Sequence, residues 1–328
     1  MNKRRKLLAA LGAGALTVRS FSFAQSQGKV WRIGFLWERA QSTSVQQLDA
    51  FKAGLRELGY TEGKDYSLEH RSANNDYSRL AGLAAELVAL KVDLIVSSGT
   101  PSTAAARKAT REIPNLIVTV GDPVGSGFAA TLARPGGNIT GLTGLNSELD
   151  AKRLDLLRQI LPDMRRVGIL YDSNSPAEAG FISRVESTCE KLQMKPIRAP
   201  VSKREEIAAA LGQLKRDKAQ ALLVSGSSSI TGWHASIIEQ AAKHRLPAMY
   251  ARSALADSGQ LISYASNVLD LYRRAAAYAD KIFKGAKPGD LPIEQPTKFE
   301  MMINLKTAQA LGIKIPGSVL VQATKVIE

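Results

Sequence analysis

One short pattern occurs twice along this chain, and it restricts the fold more than any other feature. Arg32-Ile33-Gly34-Phe35-Leu36-Trp37 is echoed by Arg166-Val167-Gly168-Ile169-Leu170-Tyr171. Val96-Ser97-Ser98-Gly99 has a counterpart in Leu223-Val224-Ser225-Gly226, and Pro114 before the apolar run 116–120 answers Pro247 before 248–251. The matches keep the same order, so a unit of roughly half the chain is duplicated. Within each unit, short apolar runs alternate with longer amphipathic segments. That alternation predicts α/β architecture: two doubly wound parallel-sheet lobes, each covered on both faces by helices.

In the first unit, strands are predicted at 30–37, 66–71, 92–96 and 116–120. Helices are predicted at 45–58, 79–90 and from 102 onward. Val45, Leu48, Phe51, Leu55 and Leu58 recur at helical spacing on one face, and Gly59 stands where a C-cap is expected. The units join near residues 141–148. The tail reads as one more strand at 260–264, a long helix at 269–283, a turn-rich connector at 285–292 and a strand at 299–304. Such a tail passes back between the lobes, so several crossovers are expected. Lobe 1 is drawn as residues 29–144 plus 266–290, and lobe 2 as 145–265 plus 291–328.

The N-terminus carries a different signal. Lys3, Arg4, Arg5 and Lys6 precede an apolar stretch at 7–18, too short to span a bilayer, and Ser22-Phe23-Ala24 offers small residues at a cleavage site. Residues 1–24 therefore read as a signal peptide, twin-arginine or Sec, cut after Ala24. Cys189 is the only cysteine, so no intrachain disulfide forms and no lipid is attached behind the signal. A soluble periplasmic monomer is the expectation. Of the formal +14, five positive charges lie in the first 24 residues, and the remainder carries 39 basic against 30 acidic residues. Those alternate in sign along helix faces, which argues for a solvated surface and against nucleic acid.

Ligands of parallel sheets bind beyond the carboxyl ends of the strands. Those ends here are Trp37 and Glu38; Ser98, Gly99, Thr100 and Pro101; Gly121 and Asp122; Tyr171, Asp172, Ser173, Asn174 and, beyond it, Pro176; and Ser225, Ser227 and Ser228. Tyr250, near the end of the strand after Pro247, joins this candidate set. Most are small, hydroxylated or amide-bearing. Singly each reads as a helix cap; together they aim several helix N-termini at one place, an arrangement suited to a carboxylate. Trp37 and Tyr171 end equivalent strands and form a candidate aromatic sandwich, or else plug their own lobes.

Catalytic patterns are weak. His70, His234 and His244 lack metal-ligand spacing, and the last two read as surface helix residues. Cys189 reads as a buried, inert thiol, and no Ser sits in a G-x-S-x-G elbow. The glycines at 125–127 and 136–137 do not form a dinucleotide or phosphate loop, and no cofactor or metal is expected.

Three segments resemble a known family: Asp122-Pro-Val-Gly-Ser-Gly127, Leu132-Ala-Arg-Pro-Gly-Gly-Asn-Ile-Thr-Gly141, and Ile303-Asn-Leu-Lys-Thr-Ala308 with Gly312 and Pro316. The chain is similar from about Trp31 to Glu328 to substrate-binding proteins of ABC importers in the tryptophan/aromatic-amino-acid-binding family. The resemblance implies a type I periplasmic-binding fold with three crossovers, a small molecule held in the cleft, and a membrane permease and ATPase as partners. It places ligand contacts on Gly99, Thr100, Pro101, Gly121, Asp122, 171–174, Ser227 and Ser228. In amino-acid-binding members an acid and an amide stand at the last two positions. Two serines there favour a carboxylate ligand with no ammonium, although Glu38 and Asp122 keep an amine open.

Other readings have less in their favour. An exported hydrolase or lyase using Asp122 or Asp172 lacks a nucleophile or metal. A sensor subunit of the same fold remains open, and a repressor would carry a helix-turn-helix where this chain has an export signal. N-terminal sequencing of the exported protein is expected to begin at Gln25; a mature chain starting at Met1 contradicts the signal assignment.

Overall fold

The computed structural model describes residues 29–144, 146–175, 178–252 and 259–328. The predicted signal at 1–24 and Pro176 lie outside them. In chain order the strands are β1 (Trp31–Trp37), β2 (Tyr66–Ser72), β3 (Leu94–Ser98), β4 (Asn115–Val120), β5 (Ile139–Thr143), β6 (Arg166–Asp172), β7 (Lys195–Val201), β8 (Ala221–Val224), β9 (Ala248–Tyr250), β10 (Ile262–Ser266), β11 (Phe299–Asn304) and β12 (Lys325–Ile327). The helices are α1 (Val45–Glu57), α2 (Leu80–Ala89), α3 (Gly99–Ala109), α4 (Asn146–Ile160), α5 (Glu178–Lys191), α6 (Ile207–Arg216), α7 (Ser228–Gly232), α8 (His234–Lys243), α9 (Val268–Phe283), α10 (Leu305–Leu311) and α11 (Gly317–Leu320).

The duplication holds at the level of the sheets. The first has the order β2-β1-β3-β4-β5, and the second contains the matching run β7-β6-β8-β9-β10, extended by β11 and β12. All pairs are parallel except β10–β11, where the tail returns antiparallel. The repeated glycines do the same work in each half. A Cβ on Gly34 would stand 2.9 Å from a methyl of Leu87 in α2, and one on Gly168 would stand 2.6 Å from a methyl of Leu214 in α6. Each glycine lets one helix press onto the first strand of its lobe.

The chain passes between the lobes three times: from β5 to α4, from β10 to α9, and from Glu294 to β11. After its second pass it adds α9 to the first lobe. Leu271, Tyr272, Ala275, Ala276 and Ala279 bury their side chains among Phe35, Phe51, Leu55 and Val118. The alanines and Gly54 permit close contact with α1, because a Cβ on Gly54 would collide with the Arg273 carbonyl and come within 2.7 Å of the Ala276 Cβ. Ile293 lies in a cluster with Ile117 and Val120, and the Thr143 N–H donates to the Glu294 carbonyl at 2.9 Å. The chain thus leaves the first lobe only after Glu294.

Differences from the sequence expectations sit mainly at element ends. Helix α3 starts at Gly99, three residues before its expected start. Val45 and Leu58, expected on the apolar face of α1, are exposed because they occupy its terminal turns beyond the α9 contact. Cys189 is fully buried, and burial pushes its thiol up to about 11. His234 is buried, not on the surface, because α8 packs its first turn against Tyr250, with the rings 5.3 Å apart.

Gly54→Ala is expected to destabilise the protein by about 1–3 kcal/mol in urea unfolding, since backbone and not a flexible side chain blocks the added methyl. A change within about 0.5 kcal/mol would show that α9 does not press on α1 as described.

Candidate ligand-binding site

Both sheets follow the doubly wound order in which chain direction reverses beside the first strand, and the crevice outside the strand ends at that point is where such folds hold ligands. Here the two crevices face each other. A cavity of about 330 Å³ lies between them, lined from the first lobe by Glu38, Tyr77, Gly99, Thr100, Pro101, Thr119, Gly121 and Asp122. From the second lobe come Asp150, Arg153, Ser175, Glu178, Phe181, Arg184, Ser227, Ser228 and Arg252. That volume is at the small end of ligand sites, which begin near roughly 300 Å³.

Among the described residues, two side-chain hydrogen bonds cross the cleft. Ser228 Oγ donates to Glu38 Oε1, and the hydroxyls of Tyr77 and Ser229 are bonded at 3.0 Å. Glu38 follows β1 and is only 2 % exposed. Its carboxylate lies over Gly99, the first residue of α3, where an added Cβ would stand 2.5 Å from both carboxylate oxygens. Gly99 has φ +74°, so glycine is required here by conformation as well as by space. Burial raises the Glu38 carboxyl above its ordinary value; bonds from Ser228 and Ser102, with the nearby positive charges of Arg39 and Arg252, act in the opposite direction.

The second lobe's wall is ionic. Arg153 and Asp150 are paired at 2.7 Å, one turn apart on α4, with side chains at most 2 % exposed. Arg184 of α5 reaches the same aspartate at 3.5 Å, and Arg153 Nε donates to the Tyr264 carbonyl at 2.8 Å. Glu178 opens α5 and accepts a 2.7 Å bond from Ser225 Oγ. Burial pushes its carboxyl up to about 7 against the lowering effect of Ser225 and Ser227. Thr119 stands out in the backbone: it has φ +64° beside a register shift in β4. A β-branched residue there is strained, and such strain collects at functional positions.

Of the residues singled out from sequence, Glu38, Gly99, Thr100, Pro101, Gly121, Asp122, Ser227 and Ser228 line the cavity. Others stand behind it as supports. Ser98 accepts a 2.7 Å bond from the Tyr272 hydroxyl, Ser225 holds Glu178, and Asp172 accepts from the Asn174 N–H at 2.9 Å. Ser173 and Asn174 bond to β7 and the residue after it, through Val201 and Ser202. The aromatic sandwich is not formed. Trp37 is fully buried, 5.9 Å from the Tyr272 ring, because α9 covers the end of β1. Tyr171 packs against the second lobe's core, and Tyr250 is buried beneath α8.

Residues that the sequence reading missed include Tyr77, Thr119, Asp150, Arg153, Glu178, Phe181, Arg184 and Arg252. Glu178 had a usable signal, an acid two residues after Pro176 at a helix start, matching the position of Thr103 after Pro101 in the first unit. Arg153 and Asp150 had none, since an i, i+3 ion pair in an amphipathic helix ordinarily faces water. Among the described residues no group of three or more His, Cys, Asp or Glu side chains is placed to hold a metal ion, and no helix is long and apolar enough to cross a membrane.

A family model described as ABC transporter substrate binding protein matches residues 41–327. The chain belongs to that family. Among the relatives of this substrate-binding protein is a tyrosine-binding protein of Clostridioides difficile, 26 % identical over 279 residues, covering 84 % of this chain and 80 % of the relative. The crystal structure of an ABC domain from Streptococcus pneumonia in complex with L-Trp is 26 % identical, with a TM-score of 0.85 over 91 % of this chain and 100 % of that one. A ligand-free, open substrate-binding protein with adhesive properties from Clostridium difficile is 24 % identical and covers the same share of this chain and 99 % of its own, but its TM-score is 0.69.

The raised Glu178 carboxyl sets the direction of a pH effect. A proton held more tightly in the folded state stabilises fully below the ordinary 4.5, and that contribution is lost as pH rises through about 7. Glu178→Gln cannot titrate, so thermal melts should show wild type losing stability relative to the variant across that window, by roughly 3 kcal/mol at most. Parallel profiles would contradict the assignment.

Proposed function

We propose that this substrate-binding protein is exported to the periplasm, captures a small amino-acid-like ligand in the interlobe cavity, and presents it as a monomer to the permease and ATPase of an importer. The observation that carries the reading is the cavity itself, enclosed by residues of both lobes and bridged by Glu38–Ser228 and Tyr77–Ser229. A site made of two halves binds by closing, and closure signals occupancy to a partner. The ion pairs and hydrogen-bond donors of the wall, with family membership, support binding.

The ligand's two ends follow from the same wall. The start of α3 at Gly99–Pro101 and the Arg252 guanidinium suit a carboxylate. The sequence expectation of a ligand without an ammonium rested on Ser227 and Ser228; Glu38, Asp122 and Glu178 line the same cavity and supply a countercharge from elsewhere. Phe181, Tyr77 and Pro101 offer apolar surface for a side chain. An α-amino acid with an aromatic or apolar side chain fits these features, in line with the ligands named for the two relatives above.

Calorimetry with an aromatic amino acid and its deaminated acid tests this. The amino acid should bind at least tenfold tighter, about 1.4 kcal/mol, and release a proton near pH 7 as Glu178 ionises beside the ammonium. Equal affinity, or tighter binding of the deaminated acid, would overturn the ammonium assignment.

A further inference from the structure

A second, smaller cavity of about 140 Å³ lies next to the first, on the side where the chain passes between the lobes, and Thr119 and Arg252 line both. Its wall also holds Arg39, Gln47, Asn267 and Glu300. Arg39 follows β1 and is 8 % exposed. Its guanidinium carbon lies 4.8 Å from the centre of the Trp37 ring, and its Nε has no hydrogen-bond partner among the described residues. Neither Arg39 nor the partly buried Arg252 has a carboxylate at ion-pair distance among the described residues, whereas the buried Arg153 is paired with Asp150 at 2.7 Å. Burying a guanidinium without an acceptor is costly, and burying two side by side is more so.

The surroundings do not neutralise this charge. Glu38 is the nearest carboxyl by its electrostatic effect on Arg252, but Ser228 and Ser102 hold its oxygens and burial favours its neutral form. Burial, with Arg39 next in weight, brings Arg252 down to about 10. His234 is pushed down to about 4 by burial and by these two arginines, so it adds no anion partner and stays uncharged. Glu300 on the same wall accepts from Asn267 Nδ2 at 2.6 Å and keeps its negative charge, and no ion pair joins it to Arg39 or Arg252 among the described residues. The helices α1 and α9 both begin at this cavity, and the first turn of α1 carries neither an acid nor a capping side chain. The uncapped start of α1 and two guanidiniums without an ion pair among the described residues thus converge on a space the size of a small oxyanion; the start of α9 is already capped by Asn267 and carries Asp270.

We propose that this cavity is an anion-binding subsite, in which Arg39 of the first lobe and Arg252 of the second share one carboxylate, sulfate or phosphate group. The anion bridges the lobes and favours their closed arrangement. It is either a free inorganic ion or a second acidic group on the cleft ligand that reaches past Thr119. The subsite is independent of the ammonium assignment made above.

The test uses the full mature protein, with thermal melts against sodium sulfate at constant ionic strength. Wild type should show a saturable rise in Tm that Arg39→Gln and Arg252→Gln both abolish and Arg39→Lys partly retains. The lysine variant separates lost binding from lost folding. In a second arm, amino acids with and without an acidic side chain are titrated into wild type and Arg39→Gln. A loss of tenfold or more for the acidic ligand alone, with sulfate competing, identifies the ligand's own carboxylate as the anion; a saturable sulfate effect with no such loss identifies a free ion. If neither the sulfate response nor the acidic ligand's affinity depends on Arg39, which lines this cavity and not the first, the subsite does not exist. If amino acids fail to bind wild type while the sulfate response stays arginine-dependent, the ligand reading falls and the subsite stands.

Discussion

The contact between Glu38 and Ser228 is the interaction on which the rest of the structure depends. It joins the loop after the first strand of one lobe to the start of a short helix after the third strand of the other. The duplicated sheet order brings these two points together, because each lies where the winding of its sheet reverses. Moving Glu38 by one residue would turn its side chain to the other face at the end of β1. Gly99 completes the arrangement: only a residue without a Cβ leaves room for the Glu38 carboxyl at the head of α3.

Burial makes this contact sensitive to what enters the cleft. Burial favours the neutral form of this carboxyl, against the opposing effect of the Ser228 and Ser102 hydroxyls and of the nearby Arg39 and Arg252. Glu178 on the opposite wall is in the same position. Two buried carboxyls, one from each lobe, thus face one cavity. The Asp150–Arg153–Arg184 cluster differs: Asp150 already pairs with both arginines, and Arg153 is fixed to the Tyr264 carbonyl, so the cluster sets the shape of the wall. Thr119, held in a left-handed conformation between the two cavities, lies beside the first crossover, where its carbonyl would stand 3.1 Å from a Cβ on Gly144.

Much of the fold was legible in the sequence because periodicity and repetition are local signals. The strand β1, helix α1 and strand β11 fall within a residue or two of their expected bounds. Strand β12 and the edge strand β5 were not legible: the first has three residues, and the second follows a glycine-rich loop that reads as linker. The candidate site was half legible. Residues just after strands, such as Gly99–Pro101 and Ser227–Ser228, announce themselves by their type. Side chains that reach the cavity from helix interiors, such as Arg153 and Phe181, look like any amphipathic face. Trp37 misled because an aromatic at a strand end looks identical whether it meets a ligand or, as here, the face of α9.

The central claim is that the lobes close around a ligand, with Glu38–Ser228 and Tyr77–Ser229 as the contacts made on closing. Spin labels at Arg79 and Ala235, both exposed and flanking the Tyr77–Ser229 bond, would report the width of the mouth by pulsed dipolar spectroscopy, and Cys189 is buried and would not compete for label. The account predicts that an aromatic amino acid narrows the distribution onto its shortest distance, and that Glu38→Ala broadens it toward longer ones. A distribution unmoved by a ligand that measurably binds would contradict it.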